Sequence, residues 1–91
     1  MIISFDPAKR ESNLAKHGLD LADAREVIEG PCIELVDDRE DYGEERWVSV
    51  GLLRGMVVVC VWAERGDETR VISLRKADKD EQEEYFGSFA G

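Results

Sequence analysis

The sequence predicts an α+β domain with the element order β-α-α-β-β-β-β-α. Three observations carry this. Residues 6–30 hold helix start and stop signals around an apolar stripe. Residues 32–76 are strand-like apolar runs separated by turns and a charged loop. Residues 78–86 return to a charged helical segment. The expected architecture is a mostly antiparallel sheet with helices on one face. Residues 1–86 form one domain, and the tail 87–91 is expected to fray.

The elements follow in order. "IISF" (2–5) is a short strand. Asp6 can accept from the free N–H groups of a helix start, and Pro7 suits the first turn because its missing N–H is not needed there. That helix runs from Pro7 to near His17, and Gly18 ends it in the left-handed conformation. Asp20 opens a second helix, with Asp23 three residues on as a weak capping box. Leu21, Ala24, Val27 and Ile28 form one apolar stripe, and "GP" (30–31) stops it. "CIELV" (32–36), "RWVSVGLL" (46–53), "MVVVCVW" (56–62) and "TRVISLRK" (69–76) read as strands. Between them lie the charged loop 37–44 and the turns at 54–55 and 64–68. Asp78 caps the last helix.

The chain has 91 residues and a net charge of −9, with 43% hydrophobic and 36% charged residues, so one folded domain is expected. The charge is unevenly spread: +1 over residues 1–18, −9 over 19–45, +3 over 46–76 and −4 over 77–91. An acidic middle and tail therefore flank a locally basic segment. No apolar run is long enough to span a membrane, and the N-terminus is not a signal peptide, so a cytoplasmic location is expected. Cys32 and Cys60 then read as reduced core residues. The acidic cluster at 37–45 lacks the ligand spacing of a calcium loop, and no metal or other cofactor is expected. That cluster is a candidate surface for a basic partner.

Side-chain alternation along residues 69–76 puts Arg70, Ile72, Leu74 and Lys76 on one face, and Thr69, Val71, Ser73 and Arg75 on the other. Ile72 and Leu74 are expected to meet the helices. Ser73 and Arg75 then lie on the open face beside Arg65, a candidate phosphate cradle, since guanidinium forks fit phosphate oxygens. The competing reading is that the arginines pair with some of the 21 acids. His17, the single histidine, is either a proton-transfer group or a helix-end residue beside unpaired carbonyls. Lys9, Asn13, Lys16 and His17 share one polar helix face, either solvated or lining a groove. Trp47 and Trp62 are expected in the core or an interface.

"FDPAKRESNLAKHGLDLADAREVI", "GEERWVSVG" and "ERGDETRVISLRKADKDEQEEY", in that order, resemble the BrnT family of bacterial toxins, the toxin half of type II toxin–antitoxin systems. The resemblance runs from about residue 5 to Tyr85. It implies a RelE-like fold and a metal-independent endoribonuclease that cleaves RNA and inhibits translation. It also implies a cognate BrnA-type antitoxin, a DNA-binding protein that neutralises the toxin, so that DNA is met only through the antitoxin. The implied chemistry is attack of a ribose 2′-hydroxyl on the adjacent phosphate. By the resemblance, Arg65, Arg70 and Arg75 stabilise charge, with Ser73 and Lys76 beside them. His17, Lys16 and Glu45 are the candidates for proton transfer. The chain departs from the pattern at Phe5, where many relatives have tryptophan, at Leu74, where alanine is usual, and in its acidic final helix. These departures leave a second reading: a weakly active or non-catalytic module that binds a basic, DNA-binding partner.

Overall fold

Asp6, Pro7 and Gly18 bound the first helix as the sequence predicts. In the computed structural model, which describes residues 1–39 and 41–89, α1 spans Pro7–His17. The Asp6 side chain accepts from Ala8 N at 2.8 Å. Gly18 sits at φ +69°, and its N–H closes on Leu14 O at 2.9 Å. Only a residue without Cβ takes that left-handed position at no steric cost.

The second helix is divided. A 3₁₀ turn over Leu21–Asp23 leads into α2 (Ala24–Glu29). Asp20 caps the turn by accepting from Ala22 N at 2.9 Å. Asp23 makes no cap and instead pairs with Arg54 at 2.6 Å, so the expected capping box is absent. The predicted stripe is real: Leu21, Ala24 and Val27 are fully buried, and Ile28 packs against them. Burying Leu21 alone contributes about 2 kcal/mol.

The strands are β1 (Ile2–Ser4), β2 (Ile33–Asp37), β3 (Arg46–Leu53), β4 (Met56–Arg65) and β5 (Glu68–Lys76). They form one sheet in the order β1-β5-β4-β3-β2. The β2–β3, β3–β4 and β4–β5 pairs are antiparallel. β1 adds parallel to β5 over three residues, Ile2–Ser4 against Glu68–Arg70. This is the predicted α+β order.

One irregularity in β5 decides which of its side chains share a face. Val61 is opposite Ser73, but Trp62 is opposite Val71, so Ile72 is an extra residue in β5. This β-bulge shifts the alternation by one. Val71 (1% exposed) and Leu74 (0%) consequently share the core with Leu21, Val27, Cys60 and Trp62. Simple alternation places Val71 opposite Leu74, and Arg70 with Leu74. The bulge overturns both placements: Arg70 joins Ser73 and Arg75 on the other face. Lys76 is opposite Val58, and therefore lies on the face away from Arg75.

α1 and α2 cover the face that carries Leu74 and Trp62. α3 (Lys79–Phe89) packs on the other, where Tyr85 is buried against Val57, Val59 and Ala77. The helix layer is thus split, with α3 over the opposite face. Residues 87–89, expected to fray, are helical; residues 90 and 91 lie outside the described residues. Trp47 and Trp62 stack at 5.9 Å, and Trp62 Nε1 donates to the buried Ser49 hydroxyl at 2.8 Å, so Trp62 is a core residue and the half-buried Trp47 packs against it. Cys32 and Cys60 are free thiols, and burial pushes Cys60 up to about 12. No described helix is long and apolar enough to cross a membrane.

Candidate functional site

β5 positions most of the candidate residues. The bulge at Ile72 turns Arg70, Ser73 and Arg75 onto one face, and the hairpin at Gly66–Asp67 brings Arg65 to the same face opposite Glu68. Four of the eight candidates therefore share one face, spread along the hairpin from Arg65 at the turn to Arg75 near its far end. Without the extra residue, Arg70 and Arg75, five apart, would point in opposite directions.

Each arginine meets a different environment. Arg75 is held by Glu81 through two bonds, Nη1–Oε1 at 2.8 Å and Nη2–Oε2 at 2.9 Å, and its Nη1 also donates to Lys76 O at 3.2 Å. Glu81 is itself fixed: it accepts from Asp78 N at 2.9 Å, while Asp78 Oδ1 accepts from Glu81 N at 2.8 Å. That is a reciprocal capping box at the start of α3. The Arg75 guanidinium brings the Glu81 carboxyl down to about 2. Arg65 is clamped in the same manner by Glu44, at 3.0 and 3.1 Å, which holds the Glu44 carboxyl below its ordinary range. Arg46 approaches Glu44 at 3.8 Å and lays its guanidinium over the Tyr42 ring at 3.9 Å. Arg70 makes no ion pair within 4.0 Å among the described residues. It is half-buried and remains available to an external anion.

Ser73 lines two depressions. One is an open cavity of about 330 Å³ that Arg75, Glu81, Asp37 and Arg39 also line. The other is a groove of about 280 Å³ between α1 and β5, lined by Lys9, Ser12, Lys16, His17, Ile72 and Ser73 above Asn13. So the α1 cations and Arg75 approach a common residue from two sides. Lys16 and His17 stand in the α1 groove. Glu45 is exposed on the loop before β3, and Lys76 is exposed at the end of β5. Those two are not gathered at Ser73.

The scaffold between the two sides is Asn13. The pairing with β1 ends at Arg70, so beyond it the outer edge of β5 lacks a strand partner among the described residues. Asn13 takes that place. Its Nδ2 donates to Leu74 O at 2.8 Å and to Leu19 O at 2.9 Å, and its Oδ1 accepts from Leu74 N at 3.2 Å. Buried backbone groups need such partners.

A family model describing the ribonuclease toxin BrnT of type II toxin–antitoxin systems matches residues 5–81. The chain belongs to the BrnT family. No curated protein matches it. As a BrnT toxin it has a cognate antitoxin for a partner, and its ribonuclease class calls for cations around a reacting phosphate. Sequence reasoning misses two paired residues of the BrnT chain, Glu44 and Glu81. Glu81 has a findable signal, because Asp78 followed three residues later by glutamate is a capping signature. Asn13 also leaves a trace, since asparagine is a poor helix former in mid-helix and signals a tertiary bond. Nothing local marks Glu44 rather than Glu45 as the partner of Arg65.

Proposed function

We propose that this BrnT toxin cleaves RNA without a metal ion, by attack of a ribose 2′-hydroxyl on the adjacent phosphate, and that the cleavage inhibits translation. The supporting observation is that the bulge in β5 sets Arg70 on the same face as Ser73 and Arg75, the face that also carries Arg65. The phosphate is taken to sit at Ser73, between Arg70 and Arg75. As the 2′-oxygen bonds to phosphorus, the two guanidiniums stabilise the charge building on the non-bridging oxygens. His17 is the proton-transfer group of this reading, because it is half-buried in the groove that Ser73 lines. Lys16 beside it is exposed, and Glu45, exposed on the loop before β3, is not gathered at Ser73 and takes no part in this reading. His17 takes the 2′-proton and returns it to the departing 5′-oxygen, and a 2′,3′-cyclic phosphate remains.

Purified protein in EDTA is expected to cut single-stranded RNA and leave cyclic phosphate ends. Arg70→Ala or Arg75→Ala should slow this by about 10²–10³, the usual cost of one charge-stabilising donor. Induction in a bacterial host should arrest growth, and a BrnA-type DNA-binding antitoxin encoded beside it should relieve the arrest. RNA left intact, with growth unaffected, would overturn the reading.

One observation favours the second reading. Glu44 and Glu81 already occupy Arg65 and Arg75. In that reading the chain is a non-catalytic module holding a basic partner through its acidic loop. Asp37 is unsuited to such a role, being buried with its carboxylate on Arg39 at 2.8 Å. Asp38 and Asp41 are exposed. Lysine at both positions should weaken the antitoxin complex in low salt if the loop is the contact. An unchanged complex would remove the loop from the interface.

A further inference from the structure

We propose that the groove between α1 and the bulged segment of β5 is a second phosphate subsite, holding the RNA backbone beside the phosphate that is cleaved. This rests on the nuclease reading and adds the path of the strand. Charge supports it first. Seven of the eight arginines meet a carboxylate within 4.0 Å. Lys9 and Lys16 meet none among the described residues. Among the described residues their groove has no carboxylate in its lining, although the chain carries 21 acids against 12 basic residues. The Arg75 cavity, by contrast, contains Asp37, Asp38 and Glu81. An unpaired cation in a carboxylate-free groove is where an external anion gains most.

Continuity supports it as well. Ser73 lines both the groove and the Arg75 cavity, so a chain of phosphates can pass from one to the other without leaving the surface. Lys9 and Lys16 are seven residues apart, roughly 10 Å along the helix axis, which suits a strand rather than a single ion. Rigidity is the third support. Two of the three Asn13 bonds fix α1 against Leu74, so the lysines project from a backbone held beside Ser73. Lysine binds phosphate as a point charge without a fixed fork, which fits contact to backbone irrespective of base.

The test uses the whole chain and a six-nucleotide RNA with 2′-O-methyl groups, which binds but cannot react. Lys9→Ala is expected to weaken binding about three- to tenfold and to lower the salt slope of the affinity by about one. On cleavable RNA it should raise KM by a similar factor at unchanged kcat. Wild-type affinity and slope in Lys9→Ala, with cleavage intact, would overturn the subsite and leave the nuclease reading standing. A kcat loss without a change in affinity would overturn it as well. Binding that depends on Lys9, in a protein that cuts no RNA, would support the subsite and sink the nuclease reading instead.

Discussion

Glu81 does two things for one arginine. It orients the planar Arg75 guanidinium through two parallel bonds, and it occupies the place where phosphate oxygens would bind. Its carboxyl lies at about 2, below its ordinary 4.5. The stabilisation from the pair is therefore complete above about pH 4.5 and is lost as the pH falls towards about 2. Glu81→Gln should flatten this acid limb, and at neutral pH should cost about 1 kcal/mol, a figure kept small by solvent around Arg75. Urea unfolding at pH 7 and pH 3 measures both. Asn13 carries more. Asn13→Ala leaves Leu74 N–H, Leu74 O and Leu19 O without partners. It should destabilise by about 2–3 kcal/mol, read as a lower urea midpoint at unchanged slope.

Elements bounded by local chemistry are legible in the sequence, and elements set by distant partners are not. The limits of α1 follow from Asp6, Pro7 and Gly18, each acting within four residues of itself. The two-residue turn at Arg54–Gly55 is equally plain. The parallel docking of β1 on Glu68–Arg70 joins residues over sixty apart, and nothing in "IISF" announces it. The bulge is the costliest omission, since strict alternation scatters the candidate arginines over two faces. Ile72→Ala keeps the extra residue and should lower stability by only about 1 kcal/mol. Deleting Ile72 restores strict alternation and turns part of β5 inside out, so its thermal midpoint should fall far more. A similar midpoint for the two variants would mean the bulge is not a register device. Gly51 marks a second long-range constraint. A Cβ there would meet Cys32 Cβ at 3.0 Å and Val27 Cγ1 at 3.2 Å, so Gly51→Ala should force β3 from α2 and destabilise by about 1–3 kcal/mol.

At the scale of the whole molecule, the uneven charge seen in the sequence survives folding in an altered form. The basic segment 46–76 does not become a basic surface, because Arg46, Arg54, Arg65 and Arg75 meet carboxylates from Asp23, Glu44 and Glu81. Which acid meets which arginine depends on the sheet order and on the split helix layer, and composition shows neither. Among the described residues, the cations without a carboxylate within 4.0 Å are Arg70, Lys9, Lys16, Lys76 and Lys79, and of these Lys9 and Lys16 line the groove beside Ser73. The net charge of −9 nonetheless acts at long range. A polyanion is repelled by the molecule as a whole and attracted only within about a Debye length of the lysine groove. Kinetics and equilibrium should then answer salt in opposite directions. Moderate salt shortens the reach of the repulsion and quickens encounter, while it shortens the lifetime of the bound strand even more. Stopped-flow association with the 2′-O-methyl RNA should show the on-rate rising as the affinity falls, the signature of a protein that admits its polyanion through one narrow approach.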